Sequence, residues 1–220
     1  MKNSAIVLIS TVLLSTGLMA DDVVSTNETN SAVRTGWYIG LGAGASSYGD
    51  GGMGKEFDNF SVQVDKGIST GFKLYSGYKF NTIVGVEASY IQYGTFSYKS
   101  ADSVTTHVTT KVKPKSLNVA ANLGYDFFND QLRPYGLIGL GYIAYNQGYK
   151  QELYTTDGSL ATVYGFGVEY TPTLFQCVGF RLQFDSTVSA VGVTYSDPKK
   201  DNKYFMQSFN MLSLNAQYRF

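Results

Sequence analysis

The sequence predicts an all-β chain folded as an eight-stranded antiparallel up-and-down transmembrane β-barrel. Three observations carry the prediction. Segments in which apolar and polar residues alternate recur along the chain from residue 36 to the end, the period of two that marks a strand with one apolar face. The connections between these segments alternate between short and long, as in a barrel with tight turns on one side of an outer membrane and loops on the other. Aromatic residues also gather near the short-turn ends of the strands, where a membrane interface uses them and a soluble core does not. A secreted soluble barrel would share the alternation but not that girdle. An even number of strands puts both termini on the short-turn, periplasmic side.

The chain opens MKNSAIVLISTVLLSTGLMA, with Lys2, an apolar run from Ala5 to Leu14 and small residues up to Ala20. This is the pattern of a secretory signal peptide over residues 1–20. The run is short of the roughly 20 residues a spanning helix needs, and cleavage is expected after Ala20. No Cys lies near that point, so a lipid-modified N-terminus is not expected. Residues 21–35, DDVVSTNETNSAVRT, are polar and without period and read as a flexible N-terminal segment. The barrel domain is then 36–220. Of 17 basic and 17 acidic residues, removing Lys2 leaves 16 against 17. A net charge near −1 offers no basic field for nucleic acid. Cys177 is the only cysteine, so no internal disulfide can form. No stretch after residue 20 holds 18 uninterrupted apolar residues, which leaves β spans as the way to cross a membrane.

The eight strands are expected at about 36–48, 68–80, 82–97, 115–128, 133–147, 159–171, 177–190 and 206–220. In the first, Trp37, Ile39, Leu41 and Ala43 oppose Tyr38, Gly40, Gly42 and Gly44. In the second, Phe72, Leu74, Tyr78 and Phe80 oppose Lys73, Tyr75, Gly77 and Lys79. In the fourth, Leu117, Val119, Ala121, Leu123 and Tyr125 oppose Asn118, Ala120, Asn122 and Gly124. The last places Leu212, Leu214, Ala216, Tyr218 and Phe220 opposite Ser213, Asn215, Gln217 and Arg219. Its apolar face would meet lipid, and its edges would pair with the first and seventh strands, so that closure removes the exposed edge. The fifth, RPYGLIGLGYIAY, carries two apolar phases: Tyr135 and Leu137 in one, Ile138, Leu140 and Tyr142 in the other. A bulge would re-phase it, and periodicity leaves open which set meets lipid. Trp37, Phe80, Tyr125, Tyr135, Tyr170, Phe180, Tyr218 and Phe220 are expected in the girdle.

Alternation also places Lys73, Glu87, Glu169 and Arg181 on inward faces. A basic residue facing lipid near the midplane would cost about 2–4 kcal/mol, an acid less. Facing inward they can pair, and eight strands leave a lumen just wide enough for side chains. Such a cluster reads as a plug, with a narrow gated pore for ions or small solutes as the alternative.

The residues themselves resemble a known family. MLSLNAQYRF at 211–220 is similar to the last strand of the OmpA transmembrane barrel, and GFGVEYTPTLFQCVGFRLQF at 165–184 to its sixth strand, turn and seventh strand. VGVEASY at 84–90 resembles its third strand, and ANLGYDFFNDQLRPY at 121–135 its fourth strand and turn. The resemblance implies an outer-membrane location and an internal charge network in which Glu87, Glu169 and Arg181 match the family's positions. The family's strand-four lysine is Asn122 here, and Lys73 stands as a substitute from the second strand. It also implies that Tyr218 and Phe220 form the C-terminal assembly signal read by the barrel insertion machinery, after delivery by periplasmic chaperones. The chain stops at Phe220, so the family's periplasmic peptidoglycan-binding domain, and with it cell-wall anchoring, is not expected.

No enzyme is expected. The only histidine, His107, lies in VTTHVTTKV on the second long loop, with no Ser within two residues of it. Cys177 reads as a small filler or a free thiol near a periplasmic turn. Lys111, Lys113, Lys115, Lys199 and Lys200 read as solvated loop charges, with contact to lipopolysaccharide heads as the alternative. No spacing suits a metal, no strand–glycine loop–helix pattern suits a nucleotide, and no cofactor is expected. The expected partners are outer-membrane lipids and lipopolysaccharide, with a host or phage surface ligand for the loops, around a monomeric barrel.

Overall fold

A sheet of strands that are apolar on one face can hide all of its backbone edges only by closing on itself. The computed structural model describes residues 35–49, 51, 69–99, 109–128, 131–146, 157–175, 177–193 and 203–220. The expected signal segment, residues 21–34, and the loop positions His107, Lys199 and Lys200 lie outside them. In chain order the strands are β1 (Gly36–Gly49), β2 (Ser69–Lys79), β3 (Val84–Gln92), β4 (Phe96–Lys99), β5 (Thr109–Val112), β6 (Lys115–Gly124), β7 (Leu132–Ala144), β8 (Gly158–Tyr170), β9 (Val178–Val193) and β10 (Lys203–Arg219). All except β4 and β5 form one closed antiparallel barrel in the order β1-β10-β9-β8-β7-β6-β3-β2. Closure runs from Tyr38↔Arg219 to Gly49↔Ser208.

The eight expected strands correspond to the eight barrel strands, with displaced ends. The third was expected to run unbroken to 97. Instead the barrel strand stops at Gln92, and Phe96–Lys99 pairs with Thr109–Val112 in a two-stranded ribbon of its own. Gly94 makes the break. Its φ is +86°, a region that bulky residues avoid, and a Cβ there would stand 2.2 Å from Ser69 Oγ. The fourth was expected to reach 128 and ends at Gly124.

The ambiguous strand is settled by register. β7 pairs with β6 without interruption from Lys115↔Ala144 to Gly124↔Tyr135, and with β8 from Leu132↔Tyr170 to Ala144↔Gly158. There is no bulge. Ile138, Leu140 and Tyr142 face outward, Leu140 with 71% of its surface exposed, while Tyr135 and Leu137 point into the lumen, each only 5% exposed. Tyr135 therefore does not belong to the girdle, where the sequence had placed it. The lumen at that level needs a large side chain beside Arg181, and an aromatic in the inward phase supplies the volume.

The other seven girdle positions, Trp37, Phe80, Tyr125, Tyr170, Phe180, Tyr218 and Phe220, are exposed on the outer face. Trp37, Phe80, Tyr218 and Phe220 take part in edge-to-face contacts that the alternation does not foretell. Tyr78 bridges Trp37 and Phe80, with ring centroids 5.2 Å from each, and Tyr218 meets Phe220 at 5.2 Å.

Inside the barrel there are two layers. Toward the short turns lie charged side chains and tyrosines. Toward the long loops lies an apolar layer of Ile91, Tyr93, Phe96, Val112, Ile143, Tyr145, Ala161, Val191, Phe209 and Met211. This second layer was not foreseen, because the inward face had been read as small or polar throughout. Phe96 and Val112, from the extra ribbon, help to build it. Small residues opposite large ones make the packing fit. A Cβ on Gly40 would lie 2.3 Å from the Tyr75 ring and 2.8 Å from the Ala216 carbonyl oxygen. Gly40→Val is accordingly expected to destabilise the barrel by about 1–3 kcal/mol, the usual range for overpacking. Urea titration of the heat-modifiable gel band would read the loss.

A buried charge network as the candidate functional site

A charge taken out of water is tolerated only when paired and hydrogen-bonded. The short-turn half of the lumen answers that condition with side chains from all eight barrel strands. Glu87 on β3 sits between Gly77 of β2 and Ala120 of β6 in register, small neighbours that leave it room. Its Oε1 accepts from Lys73 Nζ at 3.2 Å, and its Oε2 from Arg181 Nη1 at 2.7 Å and from the Tyr38 hydroxyl at 3.1 Å. Arg181 on β9 is paired in register with Glu169 on β8, and its Nε donates to Glu169 Oε2 at 3.1 Å. Arg219 closes on the other Glu169 oxygen. Lys73 also donates to Asp185 Oδ1 at 3.0 Å, an oxygen that further accepts from Gln183 Nε2 at 2.7 Å.

A second group extends the network to the short-turn rim. Lys79 Nζ stands 2.6 Å from Asp126 Oδ2, and Arg133 Nε stands 3.5 Å from Asp126 Oδ1. Arg133 Nη1 donates to Asn122 Oδ1 at 2.7 Å, and Asn122 Nδ2 donates on to Glu87 at 3.4 Å. Asn122 thus links the two groups.

Arg181 is the hub. Besides its two carboxylates, its guanidinium carbon stands 4.7 Å from the centroid of the Tyr38 ring, 4.8 Å from Tyr75 and 5.0 Å from Tyr135. Three aromatic faces within about 6 Å add cation–π attraction in a site shielded from water. Tyr135 is itself held by donating to Gln183 Oε1 at 2.8 Å. The space left among Tyr38, Lys79, Asn122, Arg133, Glu169, Arg181 and Arg219 is a cavity of about 10 Å³, close to what one water molecule occupies by such a measure.

The structure brings Lys73, Glu87, Glu169, Arg181 and Asn122 into one network. Sequence reasoning missed Asp185, Lys79, Arg133, Arg219 and Asp126 as members. Three of these were within reach. Asp185 shares its phase with Arg181, Lys79 with Lys73, and Arg219 sits on the polar face of the last strand. Asp126 lies beyond the end of β6 and carries no phase signal. Cys177 is exposed beside the β8–β9 turn, and Lys111 and Lys113 are exposed near the long-loop rim. Among the described residues no cluster of His, Cys, Asp and Glu could hold a metal.

An apolar outer face, an aromatic belt and a closed hydrogen-bond ladder around a lumen that carries a buried charge network define a transmembrane β-barrel. The chain belongs to the outer membrane protein beta-barrel domain family, whose model matches residues 10–220. Solved structures agree on the fold. Neisserial surface protein A aligns with a TM-score of 0.53 at 16% identity over 84% of this chain and 97% of that one. The outer membrane protein OprG of Pseudomonas aeruginosa aligns with a TM-score of 0.54 at 11% identity over 86% and 99%. The outer membrane protein AlkL, determined in lipid bilayers, aligns with a TM-score of 0.52 at 14% identity over 92% and 97%. No curated protein matches the chain.

Proposed function

We propose that this chain is a plugged barrel of the bacterial outer membrane with a structural and surface-interaction role. On this reading both termini lie on the periplasmic side after removal of the signal peptide, and the four long connections reach the cell surface, where they meet a host, phage or neighbouring-cell ligand. The barrel works as a monomer against outer-membrane lipid and lipopolysaccharide. Chaperones deliver it, and the insertion machinery assembles it through its Tyr218–Phe220 end.

One observation carries the reading. Two consecutive layers fill the lumen, a buried ion-pair network and an apolar layer. Ions would have to cross a water-excluded aromatic zone after breaking buried pairs, and both steps are costly. A barrel that does not conduct acts through what it displays.

Pure refolded protein in planar bilayers is expected to give no stable unitary conductance. Reproducible discrete openings would replace this reading with that of a narrow gated pore. Protease treatment of intact cells should cleave within the long connections and leave the short turns intact.

A further inference from the structure

We propose that the short-turn mouth of the lumen binds one small anion of halide size, chloride, beside Arg133. On the topology proposed above, that mouth opens to the periplasm. Two observations carry the proposal: a buried network whose charges do not balance, and a small space at the place where the imbalance falls.

Among the described residues the network holds five cations, Lys73, Lys79, Arg133, Arg181 and Arg219, and four carboxylates, Glu87, Asp126, Glu169 and Asp185. The inner part balances. Lys73, Arg181 and Arg219 are matched by Glu87, Glu169 and Asp185. The excess falls at the rim, where Lys79 and Arg133 have only Asp126 between them. Lys79 takes the closer approach, at 2.6 Å, and Arg133 Nε stands off at 3.5 Å. The remaining hydrogen bonds of Arg133 go to neutral oxygens: Nη1 donates to Asn122 Oδ1 at 2.7 Å and Nη2 to the Ile83 carbonyl at 3.5 Å. Its Nε has no hydrogen-bond acceptor among the described residues, and the side chain is buried. A guanidinium so placed carries a charge that water has left and no carboxylate of its own matches, which is the costly condition for a buried ion.

The cavity of about 10 Å³ lies against this residue, and its lining sets Lys79, Arg133, Arg181 and Arg219 against a single acid, Glu169. Glu169 is already held between Arg181 and Arg219, so the space is electropositive. Its volume admits about one water-sized sphere, which suits a monatomic halide and is too small for phosphate, sulfate or an organic acid. A water molecule there would satisfy a donor and leave the charge unmatched. A halide does both. The weakly hydrated guanidinium of arginine suits such a partner in a site shielded from solvent. Gly124 gives the side chain its room: a Cβ at that position would stand 2.7 Å from the Arg133 guanidinium carbon.

Stability in halide reads the site. The protein is refolded into chloride-free phosphatidylcholine vesicles and unfolded in urea at fixed ionic strength, while sodium gluconate, whose anion is too large for the space, is exchanged for sodium chloride. One site on the folded state should lower the unfolding equilibrium constant, approaching tenfold for each tenfold rise in chloride above its dissociation constant. Arg133→Gln and Lys79→Gln each remove the excess charge, and each should be insensitive to the exchange. If one of them does not fold, the other decides. Lys111→Gln, on an exposed lysine near the long-loop rim, should respond as the unaltered protein does. Crystals of the unaltered protein grown in sodium bromide should show an anomalous peak in the mouth within hydrogen-bonding reach of Arg133. Equal responses in the unaltered protein and all variants, the mark of general screening, would overturn the proposal. No response in the unaltered protein, or a mouth holding only water in the bromide crystals, would overturn it as well. Conductance plays no part in these measurements, so they fail or succeed independently of the plugged-barrel reading.

Discussion

Arg181→Ala is expected to cost the barrel about 3–5 kcal/mol of unfolding free energy, the range for removing one side of a buried ion pair. The loss should lie toward the lower end of that range, because neither carboxylate is left wholly alone. Glu87 keeps Lys73 at 3.2 Å, and Glu169 keeps Arg219. Arg181→Lys should recover little of the loss. An ammonium carries the charge but cannot fork between Glu87 and Glu169, nor lie flat against three tyrosine rings. A double-mutant cycle isolates the contact. Glu87→Ala combined with Arg181→Ala should cost less than the sum of the two single changes, by about 0.5–3 kcal/mol. Additive losses would mean that the two side chains do not meet, against the 2.7 Å separation seen here. On the plugged-barrel reading the same variants in planar bilayers should remain silent, because the apolar layer beneath the long loops is untouched by them.

Leu140→Arg is expected to cost about 2–4 kcal/mol, the penalty for a basic side chain on the lipid face near the midplane. Leu140 points outward from β7 and has 71% of its surface exposed in the protein alone, so in a membrane its neighbours are acyl chains. Arginine nearer the girdle should cost less, because its head can reach the interface. Leu140→Phe, which keeps the side chain apolar, should be close to neutral. Folding titrations in liposomes would measure all three. A neutral Leu140→Arg would mean that β7 runs in the opposite phase, with Tyr135 and Leu137 in lipid.

Much of the barrel was legible in the sequence because period two is a local property. Each strand announces its two faces, and the alternating connection lengths state the topology. The same logic put Lys73, Glu87, Glu169 and Arg181 on the inner wall. It was weakest where both faces of a strand are apolar. In β7 the inward Tyr135, Leu137 and Ile143 read like lipid-facing residues, since the lumen at both ends of that strand asks for bulk. The break at Gly94 and the ribbon beyond it were also hidden, because Phe96–Lys99 continues the alternation of β3.

By itself the sequence determined the fold class, the strand count, the side of the barrel that carries the girdle and the inward placement of the first charges. All of these follow from steric alternation along one strand. Only the tertiary structure decided who pairs with whom. Glu87 and Arg181 are 94 residues apart, and Lys73 and Asp185 are 112 apart. They meet because barrel closure and the stagger of eight registers bring distant strands to a common level. No local pattern encodes that stagger. It is set by summed backbone hydrogen bonding around the whole ring, and a one-residue slip of any one strand would turn that strand's inward charges toward lipid.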